Sequence, residues 1–195
     1  MHEDTNFQPF GIKVDAYSPT DSDDHCFEIY EFFADSKESK LYASHWQTLA
    51  QLVIDGASPI DVDDPNWRFF AVFRREKSTH RFESVGFCSL YRFYLFPGPD
   101  TWRMRISQFI ILPPYQHHGH GSRLYEYIVQ EMMKDTSVLE INVEDPNEAF
   151  TDMRDKSDLR RMRRIPSIMA IISNRPQMTE EDVRKIQKQL KLNKV

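Results

Sequence analysis

Between Lys37 and about Ile54, apolar residues recur at spacings of three and four, with Leu41, Leu49 and Val53 in step and Trp46 beside them. That spacing predicts a helix with one apolar face. Before it, Cys26–Phe33 is a short aromatic and apolar run that reads as a strand. Three longer runs rich in aromatic and β-branched residues follow at Trp67–Arg75, Ser84–Phe96 and Trp102–Leu112. Polar or Pro/Gly linkers separate them, so an antiparallel meander is expected. After Pro113-Pro114, Leu124, Ile128 and Met132 stand four apart and predict a helix over about Gly121–Met133. Val138–Glu144 then alternates as a strand, with Leu139, Ile141 and Val143 on one side and Glu140, Asn142 and Glu144 on the other. Strand, glycine-containing loop, helix and strand in that order predict a βαβ unit with parallel strands. The fold class that results is α+β: a mixed, mostly antiparallel sheet flanked by helices.

The two ends are more polar. Residues 1–25 read as a polar segment, with Thr20-Asp21-Ser22-Asp23-Asp24 as a solvated turn or a disordered stretch. A helical pattern spans roughly Asn147–Arg164, and its basic run from Arg160 to Arg164 reads as a solvated face rather than a binding patch. A last amphipathic piece, Glu180–Leu192, sets Val183, Ile186 and Leu190 on one face.

Composition narrows the class. The chain has 195 residues, 40% of them apolar, with 14 Phe and 8 Tyr, enough for one domain with a sizeable aromatic core. A formal charge of −5 argues against a general nucleic-acid binder and suits a basic partner. Cys26 and Cys88 lie far apart without metal-type spacing and read as free thiols. His117, His118 and His120 read as solvent-facing loop histidines, and no metal is expected. With no signal peptide, apolar span or lipidation motif, a soluble intracellular protein without a membrane partner is expected.

Two motifs carry chemistry. Gln116-His117-His118-Gly119-His120-Gly121-Ser122 lies between a predicted strand and a predicted helix. Its glycines allow close backbone approach, and the unpaired amides of a helix start favour an anion such as a pyrophosphate. The alternative is a plain strand-to-helix turn. The dinucleotide fingerprint is incomplete, since Leu124 stands where the third glycine would be, and no Walker loop occurs. The second motif is Glu144, which ends a strand on its polar side, where ligands gather in open sheets. Its other reading is an exposed strand end. Asp145 stands beside it as a second candidate carboxylate, but Asp145-Pro146-Asn147-Glu148 also reads as a capping box with Asp145 as the cap. Asp55, Asp61, Asp63 and Asp64 form a further acidic group that reads as a solvated loop able to attract a basic tail.

The stretch from Ile106 to Phe150 resembles the Gcn5-related N-acetyltransferase superfamily, and more closely the catalytic subunits of type B histone acetyltransferases. The resemblance rests on I-S-Q-F-I-I-L-P-P-Y-Q at 106–116, Gly119-His120-Gly121, Leu124-Tyr125-Glu126, and E-I-N-V-E-D-P-N-E-A-F at 140–150. Ile60–Asp64 and Gly86–Tyr94 also fit. It implies an acetyl-CoA N-acyltransferase fold over 26–165, followed by a helical extension over 166–195 that stops early. Members usually carry an additional amino-terminal domain, so by this resemblance the sequence is expected to begin almost at the transferase domain. Acetyl-CoA is implied as co-substrate, its pantetheine arm along Phe109, Ile110 and Ile111 and its pyrophosphate on Gln116 through Ser122. Asn147 and Phe150 are expected along the CoA, Glu144 as general base, and Asp55 where the family has a supporting glutamate. Tyr91, Arg92 and Phe93 match the segment that contacts a histone tail, in the family a lysine near the amino end of newly made histone H-four. A WD-repeat histone-chaperone subunit, no direct nucleic acid, and a nuclear and cytoplasmic location are implied as well. A small-amine acetyltransferase and a non-catalytic CoA- or histone-binding form are the alternatives.

Overall fold

The computed structural model describes residues 7–18, 24–96, 98, 100–173 and 178–192. Six strands form one sheet in chain order: β1 (Ile12–Tyr17), β2 (His25–Phe32), β3 (Trp67–Glu76), β4 (Phe82–Tyr94), β5 (Trp102–Ile111) and β6 (Val138–Val143). The helices are α1 (Lys37–Val53), α2 (His120–Lys134), α3 (Glu148–Arg163), α4 (Pro166–Ser173) and α5 (Glu180–Leu190). A short 3-10 turn, Pro113–Tyr115, precedes α2. The sequence divides into two compact units, residues 1–91 with 106–124, and residues 92–105 with 125–195.

In the first unit, β1 to β4 pair antiparallel, and the β3–β4 pairing is the part that the meander reading expects. β1 itself lies inside the segment read as merely polar. Its side chains Lys13 and Asp15 carry charge, so strand periodicity is masked there. The Thr20–Asp23 turn lies outside the described residues. β3 buries Phe69, Phe70, Ala71, Val72 and Phe73 in succession, as a strand covered on both faces must. Aromatic packing fills the centre: Trp46 stacks on Phe87 at 5.3 Å between ring centroids, and Phe32 on Phe69 at 5.4 Å.

The face that α1 buries matches the expected one at Trp46 and Leu49 but not at Leu41 and Val53. Ser36 caps the helix through Ser39, and Ser39, Ala43, Trp46, Gln47 and Ala50 are the buried residues. Leu41 is 55% exposed and Val53 is also exposed. The reason is volume: with phenylalanines filling the sheet surface, small alanines and one flat indole fit against it. Leu49 packs at the margin of this core, while Leu41 and Val53 are left outside.

In the second unit, β6 buries Val138 and Ile141, which alternate onto opposite faces, while Leu139 is exposed. Of the three residues expected on one side, Leu139, Ile141 and Val143, only Ile141 is fully buried. The chain end explains part of this, because the Ile141 N–H donates to the Lys191 carbonyl at 2.7 Å and Ile141 bridges Leu192 in parallel. The basic run on α3 is exposed except at Arg161, whose side chain is 16% exposed and bonds the buried Asp158. Tyr125 donates to the same carboxylate at 3.0 Å.

The contrast on α1 is testable by thermal or urea unfolding. Phe87→Ala is expected to cost about 3–5 kcal/mol, as for a fully buried phenylalanine. Leu41→Ala should stay within about 0.5 kcal/mol. Similar losses at both positions would return Leu41 to the core.

Candidate active site

The first unit builds the candidate phosphate loop. β5 alternates, burying Met104, Ile106, Gln108 and Ile110 and leaving Phe109 and Ile111 half-buried. Gly86 on β4 is required beside it: a Cβ there would lie 2.5 Å from Ile111 Cδ1 and 2.8 Å from the Ile110 carbonyl oxygen. Beyond β5, the Leu112 N–H still donates to the Val85 carbonyl at 2.9 Å, and the Gln116 side-chain amide donates to the Ile111 carbonyl at 2.8 Å. Gln116 therefore folds the loop back on the strand end.

Two residues in the loop are left-handed, His117 at φ 63° and Gly119 at φ 86°. Any side chain would be strained at Gly119, yet a Cβ built there meets nothing within 4 Å. The glycine thus answers to backbone conformation and faces open space, as a cradle for a ligand would. α2 begins at His120, and the Arg123 N–H bonding the Gly119 carbonyl at 3.0 Å closes its first turn. The amides before Arg123 have no carbonyl of their own helix to donate to, which suits an anion.

His117 and His118 are exposed, but His120 is not a solvent-facing loop residue: it is 5% exposed. Its ring lies 4.2 Å from that of Phe27, and Nδ1 shares a 2.8 Å hydrogen bond with the Tyr17 hydroxyl. Burial, then the nearby His118 and His25, push the His120 pKa below its ordinary value. Cys88 is fully buried, and burial drives its thiol far upward, so no thiolate forms there near neutral pH. Among the described residues, no group of three or more His, Cys, Asp or Glu side chains is arranged to hold a metal. No described helix is long and apolar enough to cross a membrane.

Asp55 is exposed in the turn after α1, next to the left-handed Gly56. In the acidic loop that follows, Asp61 and Asp63 are exposed, as the solvated-loop reading expects, while Asp64 is half-buried. Asp64 accepts from Tyr91 Oη at 2.7 Å and from the Asn66 N–H at 2.9 Å, bonds that hold its carboxyl below the usual range. Asp63 pairs with Lys40 at 2.5 Å. Sequence reading also missed the buried amide pair Gln47–Gln108, joined at 2.8 and 2.9 Å, with Gln108 also reaching the Ser58 carbonyl at 3.4 Å. Two glutamines at buried positions, one on α1 and one on β5, were the available signal.

The second unit places Glu144 one residue past β6, exposed in a bend. Asp145 follows in the left-handed region at φ 37° and does not cap α3. The cap is Asn147, whose Oδ1 accepts from the Phe150 N–H at 2.9 Å. The cap thus lies two residues later than Pro146 suggested, and Asn147 has a structural task beside the expected CoA contact. Phe150 packs edge-on against Tyr125 at 5.9 Å. Arg92 lies 4.3 Å over the Trp102 ring, and Arg105 4.5 Å over Phe93. A cavity of about 620 Å³ in this unit is lined by Tyr125, Asn142, Asp158, Arg161 and Leu190, among others. Glu144, Asn147 and Phe150 do not line it.

The depressed His120 pKa has a consequence for stability. An imidazole whose folded pKa lies below its unfolded value near 6.5 favours the fold while neutral. That contribution is lost as pH falls from about 6.5 through the folded pKa. The melting temperature should drop across it in the wild type, and drop less in His120→Asn. An equal drop in both would exclude His120 as the source.

A model of the acetyltransferase (GNAT) family matches residues 23–153. The histone acetyltransferase type B catalytic subunit of Kluyveromyces lactis is 38% identical over 181 residues, covering 88% of this chain and 45% of that protein. The protein of that name from Homo sapiens is 34% identical over 160 residues, covering 80% and 38%. The chain spans less than half the length of these curated relatives. Among solved structures, an aminoglycoside acetyltransferase from a soil metagenome in complex with sisomicin aligns at a TM-score of 0.49 and 14% identity, over 67% of this chain and 86% of that one. With two thirds of its length under one family model, the chain belongs to the acetyltransferase (GNAT) family.

Proposed function

We propose that this protein transfers an acetyl group from acetyl-CoA to the side-chain amine of a histone-tail lysine, by direct attack in a ternary complex. The start of α2 carries the reading: a left-handed Gly119 opens onto free space ahead of helix-start amides. The similarity to type B catalytic subunits over most of the chain supports the histone tail as acceptor. Newly made histone H-four, a WD-repeat chaperone partner, and a nuclear and cytoplasmic location belong to the same proposal.

Acetyl-CoA supplies the acetyl group as an activated thioester. The chain's residues do the rest. Amides from Gln116 to Ser122 hold the pyrophosphate, and the backbone of Phe109, Ile110 and Ile111 aligns the pantetheine arm. A lysine ammonium needs about 4.6 kcal/mol to shed its proton at neutral pH. Glu144, exposed just past β6, takes that proton as the nitrogen bonds the acetyl carbon. A β5 backbone N–H would meet the charge that this attack puts on the carbonyl oxygen, and the carbon–sulfur bond would then break to release CoA as its thiolate, which takes up a proton. Asp55 serves as a supporting carboxylate, and Asp145 as a neighbour of the base. Tyr91, Arg92 and Phe93 line the tail. The bond from Tyr91 to Asp64 gives that segment an acidic side suited to a basic peptide.

Transfer of labelled acetyl to a histone tail peptide, beside spermine and a panel of small amines, tests the proposal. Strong peptide labelling is expected; preference for the amines would assign a small-amine enzyme, and CoA binding without transfer a non-catalytic module. Glu144→Gln should lose about 10²–10⁴-fold in turnover near neutral pH. Its CoA affinity should stay near wild type, and retained turnover would remove Glu144 as base. In Gly119→Ala the new methyl enters the open space before the loop, so calorimetry should show weaker CoA binding. Unchanged affinity would argue against the cradle.

A further inference from the structure

β1 lies outside the residues matched by the family model, which begin at 23, yet it reaches the phosphate loop at two points. A register shift between Lys13 and Asp15 marks a bulge in its pairing with β2. Bulges re-aim side chains, and Asp15 and Tyr17 beyond it both meet α2. The Asp15 carboxylate takes two hydrogen bonds from Arg123, Nε at 2.6 Å and Nη2 at 2.9 Å. The Tyr17 hydroxyl shares its 2.8 Å bond with His120 Nδ1, and the Arg123 guanidinium lies 5.5 Å over the Tyr17 ring. Phe27 of β2 backs both rings, stacked on Tyr17 at 5.5 Å. Residues 120 and 123 flank Gly121 and Ser122, so both ends of the first turn of α2 are held from β1.

We infer that β1 is a positioning element for cofactor binding, with Tyr17 and Asp15 holding the first turn of α2 so that its amides stay aimed at the diphosphate. This rests on the acetyl-CoA reading above. A helix start lacks internal bonds to its own amides and frays readily. Ligand binding by such amides loses affinity when the ordering must be done on binding. Neither Tyr17 nor Asp15 contacts reacting atoms; their effect passes through His120 and Arg123.

The test uses the full chain and three readouts. In Tyr17→Phe and Asp15→Asn, calorimetry should show CoA binding weakened about three- to tenfold, the scale of one lost hydrogen bond. The KM for acetyl-CoA should rise in parallel, with kcat at saturation and the KM for peptide within about twofold of wild type. Amide hydrogen exchange at Arg123 and Leu124 should quicken in the absence of CoA. His120→Asn, which keeps a polar atom near the Nδ1 position, should bind CoA better than His120→Leu. Unchanged CoA affinity in both β1 variants, or an equal loss in kcat and peptide KM, would overturn the inference while leaving the acetyl-CoA reading intact. Absence of CoA binding by the wild type would overturn both.

Discussion

Backbone N–H groups at the start of α2 need partners that the helix cannot supply, and the rest of the structure is arranged around that need. In most proteins a side chain or water takes that place. Here a left-handed glycine turns the chain into the helix and leaves the space before it open. The surrounding sequence reads as the means of keeping it so. Gln116 ties the loop to the end of β5, Gly86 lets β5 lie close on β4, and His120 turns its ring inward instead of into the opening.

An aromatic core gives this loop a rigid base. Offset and edge-on rings on β2, β3, β4 and α1 occupy the middle of the first unit, and stacked pairs such as Trp46–Phe87 leave little freedom for sliding. Polar ties cross the same unit where placement matters: the Gln47–Gln108 pair between α1 and β5, and Tyr91 to Asp64 at the acidic loop. Buried amides of this kind are costly unless fully matched, which makes their reciprocal bonding a strong determinant of register.

Much of this was legible beforehand. β2 to β6, α1 to α3 and α5 fall within about two residues of their sequence-derived bounds, because long apolar runs with clear periods leave few alternatives. The positions of the glycine loop and Glu144 were legible too: the loop lies between β5 and α2, and Glu144 one residue past β6. What escaped depended on contacts distant in sequence. β1 was hidden by its charged side chains, whose partners Glu28 and Arg123 lie far along the chain. The burial of His120 needed Tyr17 and Phe27. The cap of α3 moved to Asn147 because Asp145 takes a left-handed conformation that a capping pattern does not reveal. On α1, spacing identified the helix and placed Trp46 and Leu49 inward, but missed that Ala43 and Ala50 are buried while Leu41 and Val53 are exposed.

The most direct measurement is an NMR titration of the backbone amides with CoA and, separately, with pantetheine, which lacks the diphosphate. The account requires the Gly119, His120, Gly121 and Ser122 signals to move with CoA and to move far less with pantetheine. If CoA bound while those amides stayed in place, or if pantetheine moved them equally, the helix start would not be the diphosphate seat.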